Sequence, residues 1–231
     1  MNNGCKLIIF DWDGTLCDSS AAIIEAYQQA SKTILNAIPN EKDIVGVIGL
    51  SFESATKMIF SRISQDEIAK LKREFELVLE GEVLQKMTLF SGVMEALDHL
   101  KNKGHTLAIS TNRDKKSLER DLKAIQISHF FETYKCMDEL CLKPHPDMLL
   151  DIIKSLKFEK EKALFIGDSK NDMELSQNAA VKMLLVSKQE DPDAIRSLYP
   201  NILGVLSCTS KLPLWLSDNK EVFSEGTLFD G

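Results

Sequence analysis

Short runs of consecutive apolar residues punctuate the chain. Leu7–Phe10, Thr106–Ser110, Ala163–Ile166 and Met183–Val186 are continuous rather than alternating. That is the pattern of strands covered on both faces. Tyr134–Met137 and Leu203–Leu206 are weaker runs of the same kind. Between them, apolar positions recur at helical spacing over 92–103, 115–125, 146–156, 172–179 and 191–198. Strands alternating with helices predict an α/β fold built on a parallel sheet.

One stretch breaks the alternation. From Asp18 to about Leu89 no strand pattern occurs. Asp18, Ser19 and Ser20 offer N-caps to a helix over "AAIIEAYQQASKTIL". Ser64 with Glu67 has the spacing of a capping box before "IAKLKREFELVL", and a shorter helix is predicted over Phe52–Ser61. Gly46–Ser51, "GVIGLS", separates two of these helices. A helical insert of about seventy residues is too long for an α/β loop and reads as a small domain. The predicted division is a core of residues 1–16 and 90–210, a helical cap of 17–89, and an unassigned tail of 211–231.

Composition narrows the partners. The net charge of −7 argues against non-specific nucleic-acid binding. Five cysteines with no C-x-x-C pair, beside four histidines, argue against a zinc site or a disulfide framework and for free thiols in a reducing compartment. Met1–Lys6 is short and polar for a signal peptide, and no apolar run approaches membrane-spanning length. The expectation is a cytoplasmic protein with no membrane partner; its oligomeric state stays open.

The chemistry lies where strands end. In an open parallel sheet, ligands bind beyond the carboxyl ends of the strands. The first run ends in Asp11 and Asp13, the second in Ser110-Thr111-Asn112, the third in Gly167-Asp168-Ser169 with Asp172 close behind. Lys143 precedes a helix in "CLKPHPD". Carboxylates without histidines suit a hard cation such as Mg²⁺. Two like charges 4 Å apart repel by about 4 kcal/mol at an effective dielectric near 20, and a dication between them reverses that sign. Hydroxyls, N–H groups and a lysine suit phosphate oxygens, and a carboxylate can be a covalent nucleophile in phosphoryl transfer.

These residues resemble the motifs of the haloacid dehalogenase-like hydrolase superfamily, in particular its phosphoglycolate-phosphatase-like branch. "DWDGTL" resembles the first motif, "STN" the second, Lys143-Pro144 the third and "GDSKND" the fourth, in order across residues 7–186. The resemblance implies a Rossmann-like core with a helical cap. It implies a Mg²⁺-dependent phosphatase acting on a small, phosphoglycolate-like phosphate monoester through an aspartyl phosphate. Asp11 would be the nucleophile. Asp13 would protonate the leaving group and then activate water, which at neutral pH calls for a carboxyl pKa raised above about 3.9. Asp11, the Asp13 carbonyl and Asp168 would hold the metal, and Asp172 would orient the metal shell or Lys143. Thr111 and Asn112 would bind phosphate, with Lys143 neutralising charge. Gly49, Leu50 and Ser51 form the candidate substrate loop of the cap. A phosphomutase of the β-phosphoglucomutase type shares every one of these core residues; a dehalogenase or a non-catalytic homologue fits Asp13 and the intact set less well.

Simpler roles stand beside these. Asp-Gly is a common turn signal, Asp172 suits the first turn of a helix, and Lys143 could be a solvated loop lysine. Arg113 could meet an anionic substrate tail or lie on the surface. The two glycines of "GVIGLS" could merely link helices. Trp12 and Cys17 are expected in packing, and Trp215 is expected to dock the tail.

Overall fold

The computed structural model describes residues 6–81, 86–139, 141–188 and 191–220. Cys5 and residues 221–231 of the tail lie outside that range. Strand β1 (Leu7–Phe10) is the centre of a six-stranded parallel sheet. Its neighbours are β4 (Thr106–Ser110) on one side and β6 (Ala163–Gly167) on the other. The strand β5 (Thr133–Lys135) closes the first edge, and β7 (Lys182–Val186) and β8 (Ile202–Leu206) extend the second. The continuous apolar runs have the predicted cause. Ile8 and Phe10 enter one core, Leu7 and Ile9 the other, and all four are fully buried.

Helices α5 (Val93–Asn102), α6 (Lys115–Ala124), α7 (Asp147–Ser155), α8 (Lys170–Ala179) and α9 (Pro192–Leu198) fall within about two residues of the sequence pattern. The weak run at Tyr134–Met137 pairs earlier than expected. The edge strand β5 has only β4 to pair with, and β4 ends at Ser110, opposite Lys135. Within the tail, α10 (Leu212–Asp218) returns to the core through Leu212 and Leu216, and Trp215 packs beside Gly204.

The insert carries α1 (Ser20–Leu35), α2 (Glu41–Val45), α3 (Phe52–Ile59) and α4 (Gln65–Glu80). Ser64 and Glu67 form the capping box. Tyr27, Ile44, Val47 and Ala55 make a separate small core with Phe52 and Phe75. Two features depart from the sequence reading. The one-turn helix α2 is too short to show periodicity. The insert is also tied off by a two-residue antiparallel ribbon, β2 (Cys17–Asp18) with β3 (Thr88–Leu89), where no strand was expected. Both chain crossings between core and cap pass through this ribbon.

Candidate active site

The parallel register brings the ends of β1, β4 and β6 to one edge. The Asp11 N–H donates to the Ile166 carbonyl at 2.8 Å, which carries the pairing one residue past β1. The chain then turns, with the Leu16 and Cys17 amides donating to the Trp12 carbonyl. Gly14 makes the turn possible: its φ is +80°, and a Cβ there would meet Asp168 Oδ2 at 2.2 Å. Trp12 and Cys17 are fully buried, in packing roles.

Lys143 is not a solvated loop lysine. It is buried, and its Nζ donates to Asp11 Oδ1 at 2.5 Å and to Asp172 Oδ1 at 2.8 Å. Burial alone would lower its pKa, but the two carboxylates outweigh burial and hold the ammonium charged. Asp172 Oδ2 accepts from the Ser169 N–H at 3.0 Å and from the Ser169 hydroxyl at 2.6 Å, in a capping box at the start of α8. Both Asp172 oxygens are thus engaged, one on the helix cap and one on Lys143. Gly167 lets this helix approach; a Cβ there would lie 2.6 Å from Asp172 Cβ.

Asp11, Asp168 and Asp172 place carboxylate oxygens within 4.8 Å of one another. Burial, with Asp172 beside it, pushes the Asp168 carboxyl up to about 7. Burial raises Asp11 as well, against the opposing pull of Lys143. Two adjacent acids that resist ionisation, Asp11 buried and Asp168 half-buried, with oxygen donors throughout, are a donor set that a hard divalent cation fits.

Asp13 departs from expectation. Arg113 Nε donates to its Oδ2 and Nη2 to its Oδ1, each at 2.7 Å, and the Ser19 hydroxyl donates to the same Oδ1. Burial would raise this carboxyl, but the guanidinium outweighs it and holds the pKa below the usual range. The raised value expected for a resting acid is therefore not found; the paired cation favours the anion. Arg113 is itself largely enclosed, its side chain 10% exposed and turned to Asp13 rather than to the surface or a substrate tail. Its Nη1 lies 2.8 Å from Asp121 Oδ2, an ion pair without hydrogen-bond angle, and Arg120 donates to Asp121 Oδ1. Arg113 and Ser19 were missing from the candidate set. The signal for Arg113 was Asp121, a carboxylate on the otherwise apolar buried face of α6. Ser19 gave no such signal: it holds the N-cap position of α1 but turns its hydroxyl to Asp13 instead of the helix.

Thr111 lines the cavity above Asp11, whereas Ser110 turns away to Met148 Sδ at 3.6 Å. Asn112 Oδ1 accepts from the Lys143 N–H and Asn112 Nδ2 donates to the Gly49 carbonyl, both at 3.0 Å. One side chain thus joins the second motif, the lysine loop and the cap. Gly49 and Leu50 line the cavity. Ser51 lies just outside its lining, and its hydroxyl accepts from the Ser54 N–H as the cap of α3.

Comparison with known proteins agrees with this geometry. The haloacid dehalogenase-like hydrolase pattern matches residues 8–186. A phosphoglycolate phosphatase of Mannheimia succiniciproducens is 31% identical over 190 residues, 78% of this chain and 84% of that protein. The pyrophosphatase PpaX of Bacillus cereus is 28% identical over 213 residues, 87% of this chain and 95% of that one. The structure of a haloacid dehalogenase-like family hydrolase from Streptococcus pneumoniae superposes with a TM-score of 0.77 at 24% identity, over 94% of this chain and all of that one. Motif order, sheet topology and relatives converge: this chain is an enzyme of the haloacid dehalogenase-like hydrolase family.

Proposed function

We propose that the protein is a Mg²⁺-dependent phosphatase that hydrolyses a small-molecule phosphate monoester through an aspartyl phosphate on Asp11. The observation that carries this reading is the placement of Asp11. It is a buried carboxylate at the end of the central strand, lining a cavity, with Oδ1 on Lys143 and Oδ2 without a hydrogen bond among the described residues.

In this reading Asp11 Oδ2 forms the bond to phosphorus while the ester P–O bond breaks, and Asp13, ionised at rest beside Arg113, passes to the leaving alcohol the proton that a monoanionic phosphate ester brings in. Water then attacks the aspartyl phosphate, Asp13 takes the water proton, and inorganic phosphate departs. The Arg113 pair suits the second step, because it keeps Asp13 in the form that accepts a proton. Thr111 and the Asn112 N–H hold phosphoryl oxygens, and Lys143 offsets charge on Asp11. Asp11, the Asp13 carbonyl and Asp168 would hold the cation, since both Asp172 oxygens are engaged with Lys143 and Ser169. When bound, Mg²⁺ would supply positive charge against the phosphoryl oxygens and let both acids stay ionised.

The test is phosphate release from a panel of metabolite phosphates, with rapid-quench peptide mapping of the acyl phosphate. Asp11→Asn should lose at least a thousandfold in kcat and all label on the peptide containing residue 11, with unchanged circular dichroism. Ca²⁺ in place of Mg²⁺ should inhibit, because it prefers more ligands at longer distances. Turnover within tenfold of wild type in Asp11→Asn, or full activity in excess chelator, would defeat the reading.

A further inference from the structure

The cavity above Asp11 runs from the sheet edge into the core of the cap, with a volume of about 110 Å³. Its floor is polar and its roof is mostly apolar, with Lys72 and Glu76 of α4 at the rim. Tyr27, Phe52 and Phe75 form a packed aromatic trio with ring centroids 4.9–5.2 Å apart. Ile23, Val47 and Leu50 join them in the roof.

The polar groups around it are already paired. Lys143 is held by Asp11 and Asp172, and Arg113 by Asp13 and Asp121. Lys72, the remaining cation among the described lining residues, lies at the rim 3.7 Å from Glu76. The Tyr27 hydroxyl is 3.0 Å from Thr56 Oγ1, and Asp114 caps α6 by accepting from Ser117. A second anionic group on a substrate would therefore find no countercharge in the roof beyond Lys72, which stands beside Glu76, and sugar hydroxyls would lose water there for little return.

Resting on the phosphatase reading above, we propose that the leaving group is a short, uncharged, apolar alcohol rather than a carboxylate-bearing or polyhydroxylated one. A benzene-sized ligand needs a cavity of roughly 150 Å³, so about 110 Å³ seats on the order of four heavy atoms, which limits the alkyl chain to a few carbons beyond a phosphoryl group held at the sheet edge. The phosphoryl group sits over Asp11 and the alkyl chain lies against the aromatic trio.

The experiment compares kcat/KM for methyl, ethyl, propyl and butyl phosphate with phosphoglycolate and glycerol 3-phosphate. Leaving-group acidity varies little along the alkyl series, so the slope reports burial. The expected rise is about fourfold per methylene, equal to ~0.8 kcal/mol each. Butyl phosphate should exceed both polar esters by at least tenfold. Ile48→Lys, a half-buried lining position on the α2–α3 turn, should flatten the series and raise phosphoglycolate. A flat or falling series, a polar ester ahead of butyl phosphate, or an unchanged ratio in Ile48→Lys overturns the proposal.

Calorimetric binding of the matching alkylphosphonates and of phosphonoacetate to the wild-type enzyme needs neither turnover nor the variant. Butylphosphonate should bind at least tenfold more tightly than phosphonoacetate, with the more negative heat-capacity change; equal affinities overturn the proposal. Acetyl phosphate serves as the control for the chemistry. If it and every ester fail to release phosphate, the phosphatase reading fails while the phosphonates still judge the cavity.

Discussion

Asp13 and Arg113 face each other from different strand ends, and their pairing sets what each can do. A bidentate guanidinium fixes both oxygens of the carboxylate, and Asp121 fixes the guanidinium in turn. Burying such a set contributes orientation more than net stability, but removing its centre leaves Asp13 without its cation and the buried Asp121 with Arg120 alone. Arg113→Met is expected to cost about 3–5 kcal/mol in urea unfolding. Arg113→Lys should retain part of that stability but lower kcat more than it raises KM, since a point charge cannot hold both Asp13 oxygens. Equal stability of Arg113→Met and wild type would show that the network does not act in solution.

At the scale of elements, β4 carries a pH dependence at its start. His105 Nδ1 accepts from the Lys6 N–H at 3.4 Å, beside β1. Burial first, and the Lys6 charge second, push its pKa from 6.5 down to about 4. The unfolded chain therefore binds the proton more readily than the native protein between those values. Stability from the neutral ring is fully present above pH 6.5 and is lost as pH falls toward about 4. His105→Gln should show a smaller drop in Tm between pH 7 and pH 5 than wild type. An identical drop in both proteins would place the acid sensitivity elsewhere.

At the scale of the molecule, the ribbon of β2 and β3 carries both crossings to the cap, and the Asn112–Gly49 hydrogen bond is a direct polar link from the sheet edge to the cap loop. Closure excludes water and strengthens electrostatics around Asp11. Asn112→Asp keeps an acceptor for the Lys143 N–H but sets a carboxylate oxygen against the Gly49 carbonyl. Losing the bond should shift the cap toward open by about 1–2 kcal/mol. The radius of gyration by small-angle scattering should rise, and KM should rise with it. No change in either would mean that the cap is held by its other contacts. No described helix is long and apolar enough to cross a membrane.

The order of strands and helices was legible in the chain because buried parallel strands are continuously apolar and their helices amphipathic. Leu7–Phe10, fully buried on both faces, is the clearest case. The acids at the strand ends were legible by convergence: one Asp-Gly could be a turn, but acids closing several apolar runs meet at one edge of a parallel sheet. The capping box at Ser64 was readable because caps are local, and α2 was not because one turn has no period. What stayed hidden depends on contacts between distant segments. Arg113 and Asp13 are a hundred residues apart, and Ser19 could cap a helix or hold an acid until the turn at Gly14 brought it to Asp13. Asp172 reads both as a first-turn acid and, by the resemblance, as an orienter of the metal shell or Lys143; the approach of α8 over Gly167 is what puts it beside Lys143. The lining of the cavity belongs to tertiary structure alone. The aromatic rings of α1, α3 and α4 read as ordinary helix core, and only the fold of the cap over the sheet edge sets them above a reactive carboxylate.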